Sequence, residues 1–207
     1  MTREQILSAT DERILDEIKR FHYLFSMQNV IRHNLERTEE FQSQSVSEHI
    51  FNMQILCQYF LPIEDPESGL DYQKITQMIL FHDLGEIETG DYVTHEKTDN
   101  IRHEEHVAHA IVCRKAPSNL REKIQDTLVE YEQQESTESK FVNALDKLEV
   151  AMEATSSHGT KRMTDYMKIN REQILFYTGR QREATKQFLS IARFNSVVAD
   201  KLLSKIS

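Results

Sequence analysis

FHDLGEIETGD, residues 81–91, places five ionisable side chains and two glycines within eleven residues of this 207-residue chain. Its neighbouring His82 and Asp83 offer an imidazole nitrogen and a carboxylate oxygen, a mixed set that suits Mn, Fe, Co or Zn better than Ca. The pair needs partners to hold an ion, and His49 and Asp146 stand at helical positions elsewhere in the chain. We therefore predict one divalent-metal site formed by these four side chains.

Helical patterns surround this stretch on both sides. The chain has only 5 Gly and 3 Pro, and no run alternates apolar and polar residues as a half-buried strand does. The length suits one domain, so we predict a single all-α domain over residues 1–207. Two final amphipathic helices, predicted at residues 165–177 and 183–203, offer packing and a surface for subunit contact.

The helix that carries His49 has a start signal and a stop signal. Ser45 and Glu48 fit a capping box, so the helix begins just before His49. Pro62 and Pro66 are predicted to end it, because proline lacks the backbone donor that a helix needs. His49 thus lies in the first turn or so of the helix.

Two further helices supply the other ligands. Asp71 caps a predicted helix that brings His82 and Asp83 near its C-terminal end, and Glu86 lies about one turn further along. Asp146 falls beside the apolar stripe of another helix. Because an unpaired acid or imidazole is costly on an apolar face, we expect the ligands to meet in the interior.

Charge and cysteine usage narrow the class of protein. A net charge of −9 disfavours a nucleic-acid partner, and an anionic substrate has to be held locally by a metal or an individual Arg. Cys57, Cys113 and the absence of a hydrophobic N-terminal signal favour free thiols and a cytoplasmic location. The apolar runs are shorter than the roughly 20 residues that cross a bilayer, so no membrane partner is expected.

A cluster of three histidines is a candidate for a second metal site. His103, His106 and His109 follow one another at three-residue steps and could share a helix face around a second metal. The same stretch is otherwise charged, as a solvated face is. Both interpretations stay open at this point.

Together the motifs resemble the HD-domain metallohydrolases, and more closely their 5'-deoxynucleotidase branch. The similarity covers about residues 30–154, whereas residues 155–207 find no clear counterpart. The matching segments are SVSEH (45–49), HDLGE (82–86), TGD (89–91), LRE (120–122), EYE (130–132) and KFVNALDKLE (140–149).

The resemblance implies an HD-domain helical bundle, commonly a homodimer, that hydrolyses deoxyribonucleoside 5'-monophosphates to nucleoside and phosphate. It implies one divalent ion, Co, Mn, Mg, Zn or Fe, held by the four ligands. It also implies that an Arg ahead of the first His binds phosphate, with Arg32 as the best match and Arg37 as the second. The bacterial branch has Trp directly after this Arg, beside the sugar, whereas this chain has His33 there.

The same resemblance makes Glu86 and Asp91 catalytic or substrate-contacting. Glu86 is placed to orient or deprotonate the attacking water. Asp91 either holds a sugar hydroxyl or assists proton transfer, and the sequence does not choose between these roles. Glu48 is a candidate for fixing a ligand imidazole through its other nitrogen.

Rival functions remain within and outside the family. Other HD-type reactions are phosphodiester hydrolysis, nucleotide pyrophosphate hydrolysis and oxygenase chemistry at a di-iron site, and a second metal would favour them. A catalytically silent helical binding module is the non-enzyme alternative. A binding module needs none of the four ligands or Glu86, so their joint presence favours an enzyme.

Overall fold

A computed structural model describes residues 1–39, 42–92 and 99–205, with only the backbone described for residues 99–103 and 166. Within these ranges the chain is helical, and the β pairing found there is a single bridge between Ile31 and Ser45. The prediction of an all-α fold is confirmed. The α-helices are α1 (Arg3–Leu7), α2 (Asp11–Phe25), α3 (Val46–Glu64), α4 (Tyr72–Phe81), α5 (Glu86–Thr89), α6 (Asp99–Lys115), α7 (Arg121–Gln133), α8 (Thr137–Ala154), α9 (Ser157–Lys161), α10 (Arg171–Thr185) and α11 (Leu189–Lys205).

The start of α3 follows the predicted capping box. The Ser45 hydroxyl accepts from the Glu48 backbone N–H, and the Glu48 carboxylate accepts from the Ser45 N–H at 2.6 Å. The helix ends before Pro66, as predicted, but it does not stop at Pro62. It continues through Pro62 to Glu64. Pro62 removes one hydrogen bond in the last turn, which a long, buried helix tolerates.

The segment after α4 turns sharply. Asp71 accepts from the Lys74 N–H at 3.0 Å and caps α4, as predicted. Gly90 ends α5 with a φ of 73°, a left-handed conformation that glycine adopts at little cost. A Cβ at this position would lie 2.1 Å from Asn34 Oδ1, so a side chain at position 90 would require the Asn34 side chain to move.

The main core lies between α3, α4, α7 and α8, with α11 against one side. Because α8 contributes its whole inner face to this core, Asp146 on that helix is held in the interior. Fully buried members are Met53, Phe60, Ile75, Ile79, Phe141, Leu145, Leu148 and Ile191.

The C-terminal helices differ from their predicted positions. They span 171–185 and 189–205 instead of 165–177 and 183–203, and residues 162–166 form a π-helical turn. Asn170 and Gln173 form a capping box that sets the start of α10, a signal that the sequence prediction missed. A small second apolar cluster joins these helices to the end of α8 through Ala154, Met163, Ile174 and Leu202.

The sequence of residues 94–100 is polar and predicts a loop. Residues 94–98 lie outside the described residues, and residues 99 and 100 already belong to α6. No helix described here combines the length and apolarity that crossing a membrane demands.

Candidate metal centre and active site

Three of the predicted ligands converge from two elements. His49 lies in the first turn of α3, His82 caps the C-terminal end of α4, and Asp83 follows it. Each offers one ligand atom, and the three atoms lie within 4.8 Å of one another. Asp83 Oδ2 is 3.2 Å from His82 Nε2 and 3.8 Å from His49 Nε2. Asp146, from α8, completes the group with Oδ1 at 3.2 Å from His49 Nε2.

The protonation of the two imidazoles fits a cation site. His82 Nδ1 lies 3.0 Å from the Ile79 carbonyl oxygen, which can only accept, so this nitrogen carries a proton. His49 Nδ1 lies 2.6 Å from Glu149 Oε2 and donates in the same way. Both Nε2 atoms are buried and form no hydrogen bond with the described residues. In a neutral ring each Nε2 presents a lone pair beside carboxylate oxygens, an arrangement that a divalent ion resolves.

Glu149, rather than Glu48, fixes the His49 ring. It is buried on α8, three residues after Asp146, and also accepts from Asn52 Nδ2 at 2.8 Å. The Glu48 carboxylate is occupied by the α3 capping box and by Arg37. The prediction for Glu48 was therefore wrong. The missed signal was the three-residue spacing on α8, which puts both acids on one face.

The carboxylates hold the site in a charged state. Burial opposes ionisation of both Asp83 and Asp146, but neighbouring cations outweigh it. His82 and Arg32 hold the pKa of the Asp83 carboxyl well below its usual range. Lys147 and His49 do the same for the Asp146 carboxyl. Burial and Arg32 lower the pKa of His49, yet the nearby carboxylates of Asp146 and Glu149 prevail and raise it to about 9. The cluster thus demands positive charge, as a proton or as a metal ion.

Arg32 and Asp91 form a buried pair beside this cluster. Arg32 Nε lies 3.0 Å from Asp91 Oδ2, and Arg32 Nη1 lies 3.2 Å from Asp83 Oδ2. Burial opposes the Arg32 charge, but Asp91 and Asp83 outweigh that effect and raise its pKa. A short helical turn at 32–34 aims this side chain inward, and within it His33 has a φ of 62° and donates its backbone N–H to Asp91 Oδ2 at 2.9 Å. Burial also lowers the pKa of the His33 imidazole to about 4, which keeps that ring neutral.

The structure brings most predicted site residues together. Glu86 begins α5 and lines the same cavity as Asp83, Asp91 and Asp146. Arg37 is not brought there. It is half-exposed, pairs with Glu48 and donates to the Ser43 carbonyl oxygen at 2.8 Å.

The predicted second metal cluster lies in a neighbouring cleft. His106 and His109 line it together with His82, and His109 Nδ1 lies 2.8 Å from Glu132 Oε1. The His103 side chain lies outside the described residues. Among the described side chains, three such ligand atoms lie close together in the one group around His49.

The cavity at the metal centre continues under the C-terminal segment. It has a volume of about 190 Å³ and is lined at one end by the charged residues above. At its other end are apolar side chains of α8, the π-helical turn, α10 and α11, including Met163, Ile174 and Leu202. The sequence motifs contained no signal that the C-terminal segment covers this end of the cavity.

Solved structures share the fold. A predicted metal-dependent phosphohydrolase from Magnetospirillum magnetotacticum superposes with a TM-score of 0.73 over 94% of this chain and 97% of that chain, at 16% identity. An HD-domain phosphohydrolase from Listeria innocua gives a TM-score of 0.67 over 90% and 89% of the two chains, at 18% identity. At such identities the likeness speaks for the fold alone.

Curated relatives resemble the chain in sequence. The human 5'-deoxynucleotidase HDDC2 is 29% identical over 130 residues, 59% of this chain and 61% of the relative. The HDDC2 of Xenopus laevis is 31% identical over 116 residues, covering 54% of each chain. The Schizosaccharomyces pombe 5'-deoxynucleotidase hdd1 is 29% identical over 124 residues, 57% of this chain and 58% of the relative. The chain thus spans less than two thirds of the length of these relatives.

A family model of the HD domain matches residues 25–190. This match includes the helical ligand elements and extends beyond residue 154 into α9 and α10, further than the motifs indicated. With the clustered His, His-Asp and Asp residues and the shared helical fold, the match shows that the chain belongs to the HD-domain family.

Proposed function

We propose that this protein is a metal-dependent phosphohydrolase that converts deoxyribonucleoside or ribonucleoside 5'-monophosphates to nucleoside and phosphate. The observation that carries the proposal is the close approach of two buried imidazole Nε2 atoms to two carboxylates that, together with the buried Arg32, line one cavity. The curated relatives named as 5'-deoxynucleotidases support the same reaction class.

His49, His82, Asp83 and Asp146 would hold one divalent ion, and their mixed nitrogen and oxygen donors suit Mn, Fe, Co or Zn, with Mg as a further candidate. Such an ion, when bound, lowers the pKa of water and neutralises charge on a phosphoryl group. Glu149 keeps the His49 ring in the tautomer that offers Nε2.

Arg32 is the phosphate-binding residue in this proposal. Its contacts to Asp83 and Asp91 use Nη1 and Nε, and we assign the Nη2 donors to a phosphate oxygen. The two acids fix the guanidinium before substrate arrives, so less side-chain entropy is lost on binding. Arg37 lies outside the cavity and is the weaker candidate.

Glu86 and Asp91 are assigned to activation of the water and to contact with the sugar or proton transfer. Glu86 orients or deprotonates the attacking water from the cavity wall. Asp91 Oδ2 is already occupied by Arg32 and the His33 N–H, so the other oxygen holds the sugar hydroxyl or assists proton transfer.

Phosphate release is the test. Metal-stripped protein is reloaded with Co, Mn, Mg, Zn or Fe and assayed on a panel of deoxy- and ribonucleoside 5'-monophosphates. We expect metal-dependent release, and the ratio of deoxy to ribo rates shows what His33 does in place of Trp. No release from any nucleotide, with metal bound, would refute the proposal.

A second ligand group would favour phosphodiester, pyrophosphate or di-iron chemistry, and none is found among the described side chains. A silent binding module would need neither the four ligands nor Glu86. A homodimer, a cytoplasmic location and the absence of nucleic-acid and membrane partners stay predictions.

A further inference from the structure

The cavity changes character away from the metal ligands. Its far end is formed by α8, the π-helical turn, α10 and α11, and we call this end the C-terminal chamber. The chamber is lined mainly by buried apolar side chains: Ala151, Ala154, Met163, Ile174 and Leu202. The whole cavity, about 190 Å³, far exceeds the roughly 30 Å³ of one water molecule.

Two buried polar side chains of this lining each carry an atom without a hydrogen bond to any described residue. Gln181, on α10, is 7% exposed, and its Oε1 is buried without a hydrogen bond to any described residue. Arg162, in the π-helical turn, is 4% exposed, and its Nε is likewise buried without a hydrogen bond to any described residue. Buried donors and acceptors are normally satisfied, so such a pair at the wall of a cavity points to a ligand. Turns of π-helix also occur frequently at functional sites.

The charge of Arg162 is neutralised on its other side. Arg162 Nη1 donates to Glu153 Oε1 at 2.8 Å, and Nη2 contacts the second oxygen of the same carboxylate. The Glu153 carboxylate thus neutralises the charge of the Arg162 guanidinium, and the Nε–H group remains available as a hydrogen-bond donor. Gln181 is neutral as well, so the two groups suit a neutral polar ring better than a phosphate.

The two ends therefore match the two ends of one kind of molecule. Arg32 and the metal ligands suit a phosphate, whereas the chamber suits an apolar, flat group with a donor and an acceptor on its rim. Apolar pockets with a few placed polar groups are typical of ligand sites. Nucleobases are neutral, flat and carry both donors and acceptors.

We infer that the C-terminal chamber binds the nucleobase of the substrate, and that Gln181 and Arg162 hydrogen-bond to its rim. This inference rests on the proposed nucleotidase function and deepens it, since it assigns the organic part of the substrate to residues 155–207.

The test separates the base from the phosphate. Gln181→Met removes both polar groups of the side chain at similar length, and Gln187→Met makes the same change at an exposed position. Each protein is assayed on a deoxynucleoside 5'-monophosphate and on deoxyribose 5-phosphate, which lacks the base. Binding of the free nucleoside to metal-stripped protein is measured by calorimetry. Arg162→Lys, which keeps a cation beside Glu153 but removes the Nε donor, serves as a second variant.

We expect Gln181→Met to lower kcat/KM on the nucleotide about tenfold or more and to weaken nucleoside binding similarly, because a site built to hydrogen-bond discriminates strongly. Activity on deoxyribose 5-phosphate should stay unchanged, Arg162→Lys should act in the same direction, and Gln187→Met should behave as wild type. Equal activity on the two substrates, or nucleoside binding indifferent to Gln181, would overturn the inference while leaving the phosphohydrolase intact. If no phosphate is released at all, the proposed function fails, and calorimetry still decides whether the chamber binds a nucleoside.

Discussion

The cavity has two ends that are built in opposite ways. At the metal end, imidazole and carboxylate side chains from the start of α3, the end of α4 and α8 lie within a few ångströms of one another. At the C-terminal chamber, apolar side chains form most of the wall, and a neutral amide and a neutralised guanidinium interrupt it. Reaction chemistry needs particular functional groups at short distances, whereas recognition of a neutral ring needs mainly shape. Substitutions at the metal end should therefore affect all substrates, and substitutions in the chamber only those with a base.

The largest effect at the metal end, short of losing the metal, is expected from Glu86→Gln. It keeps the shape of the side chain and removes its basicity, so metal should stay bound while kcat falls roughly 10²- to 10⁴-fold. Phosphate release and metal content are measured on the same preparation. Unchanged turnover with metal bound would remove Glu86 from the reaction.

Arg32 and Arg37 offer a matched pair of substitutions. Arg32→Lys keeps a charge but loses the forked contacts to Asp83 and Asp91, and kcat/KM should fall roughly a hundredfold on every phosphomonoester. Arg37→Lys should leave kcat/KM within about twofold, because its partners Glu48 and Ser43 lie outside the cavity. The reverse ranking would transfer the phosphate role to Arg37.

Glu149 and Glu48 test which acid positions His49. Glu149→Gln weakens the acceptor for His49 Nδ1, and metal affinity should drop about 10- to 100-fold. Glu48→Gln alters only the capping box and the surface pair with Arg37, so metal affinity should not change. Titration with Co or Mn, followed by calorimetry, measures both. Equal losses in the two variants would contradict the assignment of Glu149.

The smallest effect concerns two glycines, one near each end of the cavity. Gly90→Ala forces a left-handed φ on a residue with a Cβ and crowds Asn34, so the free energy of unfolding should fall by about 1–2 kcal/mol. Gly179→Ala, in α10 with no atom within 4 Å of the added Cβ, should raise it by about 0.5–1 kcal/mol. Urea denaturation measures both, and a Gly90→Ala protein as stable as wild type would show that the turn has no need of glycine.

Sequence reasoning was most informative where physical constraints are narrow. Few residue types can hold a transition metal, so His49, His82, Asp83 and Asp146 stood out. The structure brings these four side chains close together, and their binding of a metal stays a prediction. Helix propensity and capping residues predicted the all-α fold and the start of α3, since these signals are local.

It failed where the same residue type has a common alternative use. Glu149 resembles a solvated acid until the packing of α8 against α3 is known, and Glu48 resembled a partner of His49 only because it is its neighbour. The C-terminal chamber uses apolar residues found in any core, together with Gln181 and Arg162, which surfaces also carry. Their meaning comes from burial, which depends on the tertiary fold.

The most direct test of the account is the metal content of the protein. Metal-stripped protein is loaded with Co or Mn, and the ions per chain are counted by native mass spectrometry for wild type, Asp83→Ala and Asp16→Ala, a control at an exposed surface pair. We predict one ion per chain in wild type and Asp16→Ala and none in Asp83→Ala, with loss of phosphate release in that variant alone. A wild-type protein without bound metal, or an Asp83→Ala protein that keeps its ion, would contradict the account, and two ions per chain would favour the di-metal reactions instead.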